Sequence, residues 1–569
     1  MKNKNHILLA SAIFLAALTS LHAQTNFTKI TAGAIVNDRG FFIGAVWADF
    51  DNDGFLDLIV ASYNNLTNAY YRNNGDGTFT RITLGDPVVD SDYHTFPAAG
   101  DYDNDGSLDL VVSAGVGAPS ARHNLLYHNN GDGSFHRVSG GSLTNLTGYF
   151  GECAWVDYDN DGFLDLFVTD TGPTDTGAKN VLWHNSGDGT FTRILTGPLV
   201  TDLSFWTGAA WADYDNDGFM DVLVVNSSNG GANRLYHNGR NGVFTPVLTN
   251  VVATDLWPAG ALTPAWGDYD NDGFQDLFVT SNGGTTNRLY RNNGNGTFSR
   301  ITSGPMLRPP PGSLPNGAGW GDYDNDGYLD LFVSSINGRN ALYHNNGDGT
   351  FTEILSGSPV NDGAPGIYCN TVAWIDYDND GFLDLFVSQN NGPGLGLANL
   401  LYHNNRNTNA WLEVKLVGTA SNRSAYGAKV RARATIGGKT FWQMRELHSG
   451  AIYNTVPLVA HFGLGDATNV ETVRIEWPSG TVQEFQNVGA KQILTITEPP
   501  RLLASMTNGV PKFSLKGGRG FQYEIDSSSD LLTWSSIGDL TISNLNGTAL
   551  IVDTNPPALN QRFYRTVSQ

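Results

Sequence analysis

The sequence predicts an all-β chain: a seven-bladed β-propeller closed by its own N-terminal strand, then two smaller β domains. Three observations predict it. A phrase of the type DYDNDGFLDLFV, first complete at Asp157–Val168, is written seven times. Successive copies start 52, 56, 56, 55, 54 and 54 residues apart, a period that belongs to propellers and solenoids. Four short strands are legible within each interval.

Before the repeats, Lys2 and Lys4, the apolar run Ile7–Leu18 and the exit Leu21-His22-Ala23 read as an export signal over 1–23. No later apolar run is long enough to span a membrane, so the mature chain is expected to be exported with no integral span. One repeat unit can be followed from Ala209: AAWA is a strand, DYDNDGFMD a loop and VLVV a second strand. RLYHN is the third strand, GRNG a tight hairpin and VFTPV the fourth strand. The seventh copy stops after Tyr402-His403-Asn404-Asn405, without its fourth strand. Thr25–Thr31 matches Gly77–Thr83, the fourth strand of the first copy, in character. The mature N-terminus is therefore expected to supply the outer strand of the last blade and close a propeller spanning 24–407, leaving only short edges.

Each loop carries Asp at positions 1, 3, 5 and 9 and Gly at 6. Alternate side chains turn oxygen towards one centre, the glycine permits the sharp turn, and the position-7 carbonyl faces inward. The candidate ligands are Asp49, Asp51, Asp53, Phe55 and Asp57; Asp101, Asp103, Asp105, Ser107 and Asp109; and Asp157, Asp159, Asp161, Phe163 and Asp165. The later loops offer Asp213, Asp215, Asp217, Phe219 and Asp221; Asp268, Asp270, Asp272, Phe274 and Asp276; Asp322, Asp324, Asp326, Tyr328 and Asp330; and Asp376, Asp378, Asp380, Phe382 and Asp384. Hard oxygen donors in a flexible loop suit Ca²⁺, about seven per chain, in a structural role. An EF-hand is excluded, because position 12 is Val in every copy and falls in a strand. The histidines of the third strand read as strand residues, with no close His pair to suggest zinc.

The DxDxDGxxD loop between apolar strands, followed by LYHNNGDGTF, resembles the FG-GAP or VCBS repeat of integrin-α-type propellers. The resemblance covers roughly 25–407 and implies Ca²⁺ bound by the position-1, 3, 5 and 9 carboxylates and the position-7 carbonyl. The phrases AWLEVKLVG, SNRSAYGAKV, HFGLG and VRIEWPSG, over 408–497, resemble the ASPIC/UnbV domain of the cartilage acidic protein family and its bacterial relatives. Residues 498–569, after a Pro499-Pro500 linker, read as a small β domain similar to C-terminal segments of exported bacterial proteins, for packing, sorting or attachment.

The formal charge is −22, and the seven phrases, with four Asp each, hold 28 of the 55 acidic residues, so the acidity is mainly metal-site charge. Such a chain is not expected to bind nucleic acid, which needs clustered Lys and Arg. Cys153 and Cys369, in the third and seventh repeats, are expected to be free thiols. The loops opposite the metal hairpins carry Phe42, His94, Phe96, Phe150, Trp206, Trp257 and Tyr368, with Arg308 breaking the pattern. These either ring a central funnel that takes a protein or glycan, or fill gaps between blades. Two functions stay open: a monomeric recognition or adhesion protein, and a carbohydrate-active enzyme such as a lyase or hydrolase using Tyr93, His94 and Arg308.

Overall fold

The computed structural model describes residues 27–568, apart from 116, 174–176, 241, 285, 392–395, 508–509, 519–520, 544–546 and 554–561. The expected export signal at 1–23 lies outside the described residues.

The chain is all-β and the repeat is its unit. In the fourth repeat Trp206–Ala212 pairs antiparallel with Asp221–Asn226, that strand with Arg234–Asn238, and that with Phe244–Pro246. The second strand is buried throughout and reads Asp-Val-Leu-Val-Val-Asn, because sheets cover both of its faces. Fourth strands such as Phe191–Ile194 are partly or fully exposed at every residue. The first five repeats form five separate four-stranded sheets, and the sixth and seventh share one sheet through an Ile336–Tyr368 bridge. In that shared sheet Phe27–Lys29 pairs with Leu400–Asn404, Phe27 opposite Asn404, the pairing expected from the interrupted seventh copy.

Aromatic side chains stitch neighbouring sheets. Trp211 meets Phe167 of the preceding repeat edge-on at 5.4 Å, and Tyr269 stacks on Trp320 at 6.0 Å. The same contact joins the first repeat to the last, Trp47 meeting Phe386 edge-on at 5.5 Å. Cys153 and Cys369 are buried free thiols.

Beyond the repeats, Ala410–Val417 lies between Val459–Gly465 and Gln492–Thr497 in a three-stranded sheet. A four-stranded sheet built on Lys429–Ile436 and Asn469–Glu476 shares its core, around Leu412, Val430, Phe462 and Ile475. Two three-stranded sheets make the C-terminal unit around Leu515, Tyr523 and Ile525. Between these strands, the segment 451–455 leaves its own sheets and enters among the first strands of the repeats. Ala451 bridges Ala210, and Asn454 and Thr455 run parallel to Val372 and Ala373. Tyr453 packs edge-on against Phe96 at 5.1 Å. Glycine permits the approach: a Cβ on Gly208 would stand 2.3 Å from the Ile452 side chain.

Of the two readings of these loops, open funnel or filled gaps between blades, the burial of most of the aromatics fits the second. Phe42, His94, Phe96, Phe150, Trp206 and Trp257 are each no more than 6% exposed. They pack within and between sheets, and the 451–455 segment takes the space beside Phe96. His94 is not placed to act as a base: its Nδ1 lies 3.0 Å from Asn68 Oδ1, and burial pulls its pKa down to about 4. Tyr368 is half-buried and Arg308 is exposed.

Candidate functional site

Each Asp-rich loop is folded by its own carboxylates. In the sixth repeat Asp322 Oδ1 accepts from the Asp326 N–H at 2.9 Å and Oδ2 from the Gly327 N–H at 2.8 Å. Asp326 Oδ1 accepts from the Tyr328 N–H at 2.9 Å, and Asp330 accepts from the Tyr323 and Asn345 N–H groups at 3.3 and 2.8 Å. Asn325 and Gly327 make the turn, with φ of 58° and 96°. The position-7 residues Phe55, Ser107, Phe163, Phe219, Phe274 and Phe382 are tied to the position-5 carboxylate as Tyr328 is. The structure therefore brings the expected Asp at positions 1, 3, 5 and 9 together in one hairpin.

The residues present fit a hard cation. Asp324 Oδ1 is buried and accepts no hydrogen bond, and so are the equivalent oxygens of Asp51, Asp159, Asp215, Asp270 and Asp378. Buried acceptors without a donor are costly, and a cation among them would offset that cost. The electrostatics agree. Burial, reinforced by neighbouring carboxylates, holds Asp101, Asp157, Asp276, Asp322 and Asp330 well above the usual carboxylate range. Burial pushes Asp57 up to about 8 and Asp268 up to about 7. So many acids can share these hairpins in ionised form only with positive charge among them.

Three sets of residues at the loops escape a reading of the ligand spacing. The first is Asn at position 4. Asn52, Asn104, Asn160, Asn216, Asn271 and Asn325 each donate to the carbonyl of the next loop's position-6 glycine, at 2.8–3.4 Å. Asn379 of the last loop donates to Gly54 O of the first at 3.2 Å. The second is the Asn ending each third strand. Asn345 donates to Tyr269 O one repeat back at 2.8 Å, and Asn73 of the first repeat to Tyr377 O of the last, also at 2.8 Å. Both sets are visible in the sequence as Asn recurring in every copy, a signal of its own beside the aspartates.

The third set belongs to residues 415–461, which lie on the loops. Lys415 Nζ donates to Gly54 O at 3.0 Å, and Arg431 Nη1 to Gly273 O at 3.3 Å. Asn422 Nδ2 donates to Asp157 Oδ2 at 3.3 Å, and Lys429 Nζ to Asp213 Oδ2 at 2.6 Å. Ser424 Oγ accepts from the Asp101 N–H at 3.0 Å, and His461 Nε2 stands 3.3 Å from Gly381 O. These contacts fall on glycine carbonyls, a backbone N–H and position-1 carboxylates, and none reaches the position-3 oxygens that accept no hydrogen bond.

Residues 49–112, 115–168, 157–224, 218–279, 268–333 and 322–387 match the FG-GAP-like repeat family, and residues 418–502 match the ASPIC and UnbV family. Cartilage acidic protein 1 of Mus musculus is 25% identical over 575 residues, covering 91% of this chain and 84% of the mouse protein. The Homo sapiens protein is 27% identical over 562 residues, covering 89% of this chain and 79% of the human one. Among solved structures, a lectin of Agrocybe aegerita that recognises non-reducing terminal N-acetylglucosamine has a TM-score of 0.40 at 20% identity, covering 55% of this chain and 79% of that one. A BBS1N–ARL6DN complex has a TM-score of 0.41 at 12% identity, covering 67% and 97%.

Proposed function

Because the chain belongs to the FG-GAP repeat family, carries an ASPIC/UnbV domain and is homologous to cartilage acidic protein 1, we propose that it is an exported, calcium-loaded recognition protein built on a closed seven-bladed propeller. Closure is supported by the contacts between the first and last repeats: Phe27–Lys29 on Leu400–Asn404, Asn379 on Gly54 and Asn73 on Tyr377. The domains are 24–407, 408–497 and 498–569, and the chain acts as a monomer outside the cytoplasm.

The observation that carries the calcium reading is the set of buried, partnerless position-3 oxygens inside all-carboxylate hairpins. Asp at positions 1, 3, 5 and 9 with the position-7 carbonyl would hold each ion. When bound it neutralises the cage and fixes the hairpin, a structural task with no reacting group beside it.

The ligand is a protein or a glycan, and it binds on the side away from the metal loops. The second domain lies on the loops, and segment 451–455 takes the middle. On the remaining side Phe41, Tyr63 and Tyr93 form a half-buried run with ring centres 5.5 and 4.8 Å apart, and Arg122 lies 5.3 Å over Tyr93. Flat apolar faces edged by hydroxyls suit a sugar ring or a peptide loop. The full-length chain in Ca²⁺, screened on glycan and extracellular-protein arrays, is expected to give saturable binding that Tyr63→Ala with Tyr93→Ala abolishes. Turnover of a polysaccharide, or binding indifferent to both substitutions, would sink the assignment.

A further inference from the structure

The third strand of every repeat lays one polar side chain over its metal loop. In five repeats it is histidine (His128, His184, His237, His344 and His403), and in the first and fifth it is Arg72 and Arg291. His344 Nδ1 stands 3.1 Å from Asp330 Oδ1 and 3.4 Å from Asp324 Oδ2. The other four repeat the geometry, at 3.1–3.3 Å from the position-9 carboxylate and 3.4–3.6 Å from position 3.

In each of the five loops the histidine and two of its aspartates present donor atoms within 4.8 Å of one another. Two donors on one ion, with bonds of about 2.0–2.3 Å, need a separation no greater than about 4.6 Å, so a small shift closes the set. A second observation points into the same cages. Asp159, Asp215, Asp324 and Asp378, whose Oδ2 atoms face His184, His237, His344 and His403 at 3.4–3.6 Å, each keep an Oδ1 that is buried and accepts no hydrogen bond. The imidazoles are 21–34% exposed, which leaves a route for an ion from solvent.

Arginine in the same place has no lone pair to offer and carries a fixed positive charge. Arg291 donates to Asp270 Oδ2 at 2.5 Å and to Asp272 Oδ2 at 3.0 Å, while Arg72 Nε stands 3.9 Å from Asp51. Oxygen-only cages favour hard cations, whereas an imidazole nitrogen admits the borderline ions of the first transition row.

We propose that the five histidine-bearing loops are mixed nitrogen–oxygen cages that accept a borderline divalent cation of the Zn²⁺ class as well as Ca²⁺, and that the two arginine-bearing loops accept Ca²⁺ alone. This rests on the reading of the loops as cation sites. The test takes the full-length chain, stripped with chelator, and dialyses it against Ca²⁺ or Zn²⁺ at neutral pH. Bound metal is counted, and Co²⁺ serves as a visible probe of nitrogen ligation. The expected result is about five Zn²⁺ and about seven Ca²⁺ per chain. His344→Gln lowers the zinc count by one and leaves the calcium count unchanged, and Arg291→His raises the zinc count by one. Equal counts of the two ions, zinc binding that ignores both substitutions, or calcium retention without zinc would overturn the proposal and leave the calcium reading standing. Retention of neither ion would overturn both.

Discussion

Asn325 has two tasks at once. Its side chain is buried and donates to Gly381 O of the next loop at 2.9 Å, and its backbone holds φ at 58°. The two can be separated. Asn325→Gly keeps the left-handed backbone without strain and removes only the loop-to-loop bond, a loss of about 1 kcal/mol. Asn325→Ala adds the cost of a Cβ in that region, roughly another 1 kcal/mol. Denaturant midpoints should rank wild type above Gly and Gly above Ala; an Ala variant as stable as the Gly variant would deny the strain. Asp159 tests the cage more directly: Asp159→Ala removes a buried, partnerless oxygen and should lower the calcium count by one, read by metal analysis. The sequence announces these aspartates through their spacing. It leaves the asparagine's partner unread, because Gly381 lies 56 residues away and only the packing of one hairpin against the next brings them together. The aromatic loop residues such as Trp206 and Phe150 were ambiguous for a related reason. An aromatic beside a turn can face water or a neighbouring sheet, and the local sequence is the same in both cases.

Two elements hold what no single repeat could. Phe27–Lys29 supplies the fourth strand that the seventh repeat lacks, and Phe27 packs against Trp374 at 6.0 Å and Tyr323 at 5.8 Å. Without residues 24–31 the Leu400–Asn404 edge is bare and ready to pair with another chain. The truncated protein should melt several degrees lower and elute partly as oligomers on size-exclusion chromatography; an unshifted melting curve in a monomer would mean that this strand is dispensable. The 451–455 segment is the second such element. Gly208→Leu drives a side chain into Ile452 and against the Glu152 carboxylate, which is hydrogen-bonded to the Ile452 backbone. Limited proteolysis of that variant should cut near residue 450 under conditions where the wild type resists; equal resistance would place the segment elsewhere. The missing strand was legible because the repeat itself defines what is absent. The inserted segment was not, since Ala-Ile-Tyr-Asn-Thr has no period or motif, and its groove is lined by residues of several repeats, from Phe96 through Ala210 to Ala373.

At the scale of the molecule, charge ties the parts together. The loops concentrate 28 aspartates in a chain of formal charge −22, and the second domain places Lys415, Lys429 and Arg431 against those hairpins. These cations touch the carbonyls of Gly54 and Gly273 and the side-chain oxygens of Asp213 and Asn216, so their seating depends on the hairpins being correctly folded. If divalent ions set that fold, removing them should loosen the repeats and unseat the second domain in one event. Each site saturated a hundredfold over its dissociation constant contributes about 2.7 kcal/mol to the folded state, so even a few occupied loops weigh heavily against a typical total of ~5–15 kcal/mol. Calorimetry of the full-length chain in Ca²⁺ should therefore show the repeats and the 410–497 sheets melting together. Chelator should shift that transition down by well over ten degrees and split it, the second domain then melting apart from the repeats. The linkage fails if the trace is the same with and without chelator. It fails as well if the two units already melt separately in Ca²⁺, because the contacts at Gly54, Asp213 and Gly273 would then carry no coupling.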